Sequence, residues 1–265
     1  MINRWLQSCR TAFSLYSRIP LPGRADWSEE TREYVLVFFP LVGVVIALLE
    51  WVWFLLCGRL GIIPDIVRAL VGTVIPVLVT GGIHVDGFMD TSDALASYQS
   101  REKRLEILHD PHIGAFGVIR VLCLGALYTT ALCLLQREVL PVFLIGFVLS
   151  RTLSALAADL LPHARQDGML KAVSSGTGHA GTRGKREQIL YAEAGAALLL
   201  MILIGGICGI FTAAAAVLVW LRYRSVAERE FGGTTGDLAG WFLCRCELAA
   251  TAVPAVYILI REVIR

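Results

Sequence analysis

The sequence predicts an all-α, polytopic transmembrane helical bundle of about seven spans, six being the alternative, with an N-terminal interfacial helix ahead of the first. Three observations carry this. Of 265 residues, 56% are hydrophobic and 17% charged, where soluble domains carry about 25% charged residues; the mean hydropathy is +0.65. A hydrocarbon core of roughly 30 Å takes about 20 helical residues, and apolar windows of that order recur near 35–57, 64–83, 116–135, 139–161, 189–222 and 238–260. Lys and Arg collect in alternate connections between them. With no repeat, low-complexity tract or compositional break, residues 1–265 read as one membrane-embedded domain.

At the N-terminus, Ile2, Trp5, Leu6, Cys9, Phe13 and Tyr16 recur every three or four residues with Arg4, Gln7 and Arg10 between them, the pattern of a helix lying in the interface. No uninterrupted apolar core comes after the first charges, so a secretory signal is a poor fit. The fifth window is too long for one span, and Gly205-Gly206-Ile207-Cys208-Gly209 near its middle reads as a tight turn between two helices. Charge supports that hairpin. With seven spans and the N-terminus inside, the inner segments hold sixteen basic residues: Arg4, Arg10, Arg18, Arg24, Arg32, Arg101, Lys103, Arg104, Arg165, Lys171, Arg183, Lys185, Arg186, Arg222, Arg224 and Arg229. The outer segments hold four, Arg59, Arg137, Arg261 and Arg265, as short cytoplasmic loops predict. A net charge of +2 offers no basic field for nucleic acid. The odd set of seven cysteines, mostly within apolar stretches, reads as reduced packing residues.

Chemistry concentrates after the second span, in Gly81-Gly82-Ile83-His84-Val85-Asp86-Gly87-Phe88-Met89-Asp90-Thr91-Ser92-Asp93. On a helix, positions i, i+4 and i+7 fall within about 60° of one another, so Asp86, Asp90 and Asp93 share a face. Packed alone they repel until a proton or cation intervenes, and a hard divalent ion such as magnesium takes carboxylate oxygens while leaving room for phosphate. His84, on irregular backbone before them, fits a base, a ligand or a hydrogen-bond partner of phosphate. The plain alternative is a solvated acidic face. One His with three Asp suits zinc less well.

Two further clusters carry weaker signals. His109-Asp110-Pro111-His112-Ile113-Gly114-Ala115-Phe116-Gly117 leads into the third span and reads equally as a turn and helix entry. Phe231-Gly232-Gly233-Thr234-Thr235-Gly236-Asp237 leads into the last; its Gly232 and Gly233 allow N–H groups to turn toward an anion, while a linker capped by Asp237 is the alternative. In the seven-span topology all three clusters meet at one membrane surface. Arg18, the 101–104 group and the 222–229 group are nearby cations for a polyphosphate, each also readable as a positive-inside anchor. Arg151, Asp159, Arg245 and Glu247 fall within spans, where ionisable groups pair or line sites; Arg151 is the candidate among them.

Gly81-Gly82-Ile83-His84-x-Asp86-Gly87-x-x-Asp90-x-x-Asp93 resembles the signature of the cobalamin synthase family, the adenosylcobinamide-GDP ribazoletransferases. The likeness runs along most of the chain, through Ser17-Arg18-Ile19-Pro20, Phe39-Pro40-Leu41-Val42-Gly43, Asp110 to Gly117, Ala164-Arg165-x-Asp167-Gly168 and Gly232-Gly233-x-Thr235-Gly236-Asp237-x-x-Gly240. It departs at His112, where the family pattern has Arg, and at Ser17, where it has Thr. The resemblance implies transfer of the adenosylcobinamide-phosphate group from adenosylcobinamide-GDP to alpha-ribazole 5′-phosphate or alpha-ribazole, releasing GMP, with magnesium as cofactor, at the cell inner membrane with the site facing the cytoplasm. On that basis Asp86, Asp90, Asp93 and Asp237 are expected metal ligands. His84 is the expected base, with Asp86 as alternative; Arg18, Arg151, Asp110, Gly232, Gly233 and Thr235 are expected substrate contacts. A homo-oligomer stays open. A lipid phosphotransferase of the CDP-alcohol type would continue Asp86-Gly87 with x-x-Ala-Arg, whereas this chain continues with Phe88-Met89-Asp90-Thr91. A transporter would place its acidic residues on broken helices near mid-membrane.

Overall fold

The computed structural model describes residues 2–165, 168–174 and 180–264; Asp167, Arg265 and the side chain of Arg183 lie outside the described residues. Among the described residues there is no strand. Helices α1 (Ile2–Tyr16) and α2 (Glu29–Arg32) precede α3 (Val35–Leu60), α4 (Asp65–Thr80), α5 (Ile83–Ala96) and α6 (Arg101–Ile107). Then come α7 (Ala115–Leu134), α8 (Leu140–Leu160), α9 (Met169–Ser174), α10 (Ala180–Val226), a π-helical turn (Ala227–Phe231) and α11 (Gly236–Ile264).

Five helices are long and apolar enough to cross a membrane: α3, α7, α8, α11 and the stretch Gly184–Phe231. The pair α4 and α5, bent by 95°, supplies a sixth candidate. Three aspartates in 14 residues make α5 costly in hydrocarbon, so α4 is the spanning arm and α5 turns away outside it. The expected break in the longest segment is at Gly206, with φ 55° and ψ −128°, a conformation open in practice to glycine alone. A straight helix would separate residues 201 and 209 by about 12 Å, yet Gly209 lies against the Met201 carbonyl. The chain therefore reverses there, and counting both arms gives about seven crossings.

Helix α8 forms the centre, packed by α3, α10 and α11; Gly43 of α3 admits the Phe147 carbonyl of α8 to close contact. Of the four charges expected within spans, Arg151, Asp159 and Glu247 are paired inside the bundle, while Arg245 is exposed over the Trp241 ring. Arg151 donates to Glu247 at 2.6 Å, and Arg186 forks onto Asp159. The apolar stripe of α1 is used largely on the protein itself: Ala12 and Phe13 are buried, Trp5 stacks on Tyr34 at 4.8 Å and Tyr16 on Phe39 at 4.2 Å. Leu6 remains exposed. Contacts also show that alternate helix ends meet. Arg18 N–H bonds to the Val79 carbonyl, Asp93 reaches Gly114 and Thr234 reaches Pro162 at one end, while Arg261 pairs with Glu138 at the other.

Candidate active site

The site is built where α5 crosses α11. A side chain at Gly87 would place its Cβ 2.7 Å from the Asp237 Cα, and one at Gly240 would sit 2.8 Å from the His84 carbonyl oxygen. These two glycines let the backbones touch, which brings Asp237 to the aspartate face of α5. The electrostatic result is visible at Asp90. Partial burial first, then the charges of Asp86, Asp237 and Asp93, push its carboxyl up to about 6. Repulsion of this kind is what a cation relieves. Among the described residues no three of His, Cys, Asp or Glu are gathered closely enough to hold a metal unaided. Magnesium needs only one or two carboxylates where substrate phosphates complete its octahedron, and one or two drawn from Asp86, Asp90 and Asp237 would meet that need.

Asp93 has a different set of contacts. Its two carboxylate oxygens accept the N–H groups of Gly114, at 3.0 Å, and of Gly117, at 2.8 Å. The carboxylate thus caps the start of α7, where the helix dipole favours negative charge. A Cβ at either glycine would collide with it. The Ile113-Gly114-Ala115-Phe116-Gly117 segment is in effect the seat for Asp93.

His84 is 9% exposed and its ring packs against Phe39. Burial, reinforced by Arg151, pushes its pKa down to about 3, so the imidazole is neutral. Among the described residues Nε2 has no hydrogen-bond partner, and the Cys244 thiol donates to the His84 carbonyl. Three hollows adjoin the α5 start, one of them, of about 190 Å³, lined by Thr80, His84, Val85, Arg151 and Glu247 among others, and the other two sharing Asp86. Of those two, the first, of about 280 Å³, is lined by Tyr16, Phe39, His84, Asp86, Lys171 and Asp237 among others. The second, more open and about 660 Å³, is lined by Ser17, Arg18, Gly81, Gly82, Asp86 and Met89 among others. Asp86 and Ile83 border both.

The remaining expected contacts divide. Arg18 is exposed beside Asp86 in the open hollow. Thr235 borders the enclosed one, and its hydroxyl accepts the Leu238 N–H as N-cap of α11. Gly232 and Gly233 do not present N–H groups to a ligand: both donate to the Ala227 carbonyl. Gly233 serves instead to admit residues 162–164 to close contact. Arg151 is fully buried and paired with Glu247; it lines neither hollow that contains Asp86, only the smaller one it shares with His84. Asp110 is exposed and accepts from the N–H and ring of His112, outside both hollows. Arg101 lies over Gly232 and donates to the Glu228 and Arg229 carbonyls, and Arg104 pairs with Glu230, so these cations brace the π-turn. The residues that sequence reasoning did not single out are His163, Arg165 and Lys171, which line the enclosed hollow. Arg165 stands inside the Ala164-Arg165-x-Asp167-Gly168 motif; Lys171 carries no local signal.

A family model described as cobalamin-5-phosphate synthase matches residues 8–255. The chain belongs to that family. A relative named adenosylcobinamide-GDP ribazoletransferase from Lachnoclostridium phytofermentans is 40% identical over 93% of this chain and 92% of its own. Relatives of the same name from Pseudomonas fluorescens, 33% identical over 91% and 95%, and from a Geobacillus species, 30% identical over 85% and 86%, are similar along nearly the same length. No solved structure matches. As a cobalamin-5-phosphate synthase family member, the chain carries the glycines of the α5–α11 crossing and the aspartates they bring together.

Proposed function

We propose that this membrane enzyme transfers the adenosylcobinamide-phosphate group of adenosylcobinamide-GDP to alpha-ribazole 5′-phosphate, or to alpha-ribazole, with release of GMP. The observation that carries the reading is the crossing that brings Asp237 to Asp90 and to Asp86, the carboxylate bordering both hollows, in a chain of this family. A ribose hydroxyl oxygen forms a bond to the cobinamide-bearing phosphorus. The bond from that phosphorus to the GMP oxygen breaks, GMP leaves with the electron pair, and the hydroxyl proton passes to a base. Asp86 borders both hollows, and we assign it the proton. His84, held neutral with a low basicity, orients the hydroxyl through Nε2, because a base that far below neutral transfers protons poorly. One or two of Asp86, Asp90 and Asp237 would hold a magnesium ion together with the pyrophosphate, and the ion would supply charge neutralisation on the phosphoryl oxygens. Arg18, in the open hollow, meets the same oxygens.

The test is GMP release by purified Asp86→Asn and Asp90→Asn in nanodiscs. Losses of about 10²-fold or more are expected, the scale on which electrostatic stabilisation of developing charge acts; near-normal turnover in both ends the metal proposal. His84→Gln is expected to lower the rate without moving its pH profile, whereas a displaced profile returns the proton to His84.

We further place the enzyme in the cell inner membrane with the site toward the cytoplasm. Sixteen basic residues against four support this. A green fluorescent protein joined after Pro162 is expected to fluoresce, and alkaline phosphatase joined after Gln136 to be active; the reverse pattern inverts the orientation.

A further inference from the structure

The two hollows that meet at Asp86 differ in enclosure, size and wall chemistry. The narrower and less open one is about 280 Å³, just below the roughly 300–1,000 Å³ of small-ligand pockets. Its lining joins the apolar Tyr16, Leu36 and Phe39 to the carboxylates Asp86 and Asp237 and the cations Arg165 and Lys171. The open one is about 660 Å³ and shares Ser14, Ser17 and Arg18 with an adjoining hollow of about 280 Å³ that holds Arg10. A corrin with its amide side chains is far too large for the enclosed space and can approach only from an open surface. A single nucleoside with a flat base and one phosphate matches the enclosed one.

The Arg165 side chain is held in place, and Lys171 is carried on a fastened helix. The Arg165 guanidinium donates to the Leu105 carbonyl at 2.7 Å and lies 3.2 Å from His109 Nδ1. Lys171 rides on α9, whose last carbonyls, Val173 and Ser174, accept from the buried Arg186. The same guanidinium binds Asp159 at the end of α8, so α9 is fastened to the core. A guanidinium anchored like that of Arg165 loses little freedom on binding an anion.

Resting on the transfer reaction proposed above, we propose that the enclosed hollow is the ribazole subsite, with Lys171 and Arg165 gripping the 5′-phosphate, and that the open hollow beside Arg18 receives the corrinoid pyrophosphate. The ribose hydroxyl and the phosphorus then meet at Asp86, the carboxylate common to both. The consequence is a preference for the phosphorylated ribazole over the free nucleoside, because only the former offers the cations a charge.

Lys171→Met tests this through two readouts. In equilibrium binding to the nanodisc protein without corrinoid, alpha-ribazole 5′-phosphate is expected to bind about 10- to 100-fold more weakly than to wild type, the range of one lost charge-assisted hydrogen bond. Binding of free alpha-ribazole is expected to be unchanged, and Lys171→Arg to restore most of the loss. In turnover, KM for adenosylcobinamide-GDP is expected to be unchanged in Lys171→Met and raised in Arg18→Ala. Equal weakening of both ribazoles, no weakening of either, or a raised KM for adenosylcobinamide-GDP in Lys171→Met overturns the assignment. Wild-type protein that binds the ribazole phosphate with this Lys171 dependence but releases no GMP overturns the transfer reading and leaves the subsite standing.

Discussion

Asp90 sits where burial and three other carboxylates act on it together, and its proton is held up to about 6. The folded value lies above the unfolded one, so ionising Asp90 opposes folding. That opposition is absent below about 3.8, grows as pH rises to about 6 and is complete at neutrality. Asp90→Asn is therefore expected to raise the melting temperature at pH 7.5 without divalent ions and to give no gain below pH 4, measured by scanning fluorimetry. The same proton competes with a metal. Half-saturating magnesium for wild-type turnover is expected to rise as pH falls below about 6, and a flat dependence removes Asp90 from the ligand set. The i, i+4, i+7 spacing made the shared face of Asp86 and Asp90 legible. The part of Asp237 was legible only through family resemblance, because 147 residues separate it from Asp90.

At the scale of elements, glycines decide which helices touch. Asp93 holds the start of α7 because Gly114 and Gly117 leave room for its carboxylate. Gly117→Ala is expected to displace it and to cost about 1–2 kcal/mol, as loss of a charged cap does. Asp93→Asn, which keeps one acceptor, is expected to cost less; denaturation in mixed micelles measures both. Helical spacing alone placed Asp93 with the other two aspartates, since nothing local reveals that two N–H groups more than 20 residues downstream will meet it. The hairpin in α10 was legible, because a doubled apolar window interrupted by Gly205-Gly206 has one economical way to fold in a bilayer. Gly206→Ala is expected to cost about 1–3 kcal/mol, the strain of that backbone region for a residue with a Cβ, read as reduced yield and a lower unfolding midpoint.

Across the whole molecule, the charges inside the bundle hold its layers together. Arg151 on α8 and Glu247 on α11 form a buried pair, and Asp159 and Arg186 a second that also fastens α9. Removing one partner strands a charge. Glu247→Ala is expected to destabilise by about 3–5 kcal/mol, whereas Arg151→Met with Glu247→Leu recovers most of it. A double variant as unstable as the single would show that the pair does more than satisfy its own charges. Arg151 was expected at the substrate because an intramembrane arginine marks either a site or a partner, and its own neighbourhood in the chain does not tell which carboxylate faces it.

The spans, the reversal at Gly206 and the gathering of polar clusters at one end of the bundle are all written in the order of the residues. Each depends on the composition of a single segment, because partition into lipid is settled segment by segment. Packing alone settles which carboxylates meet, that Asp93 turns to α7, that the N–H groups of Gly232 and Gly233 stay within their own turn, and that Lys171 and Asp86 line one hollow. Those outcomes are contacts between residues far apart in the chain. They are set by how closely two helix backbones can approach, and that distance exists only once the helices have packed.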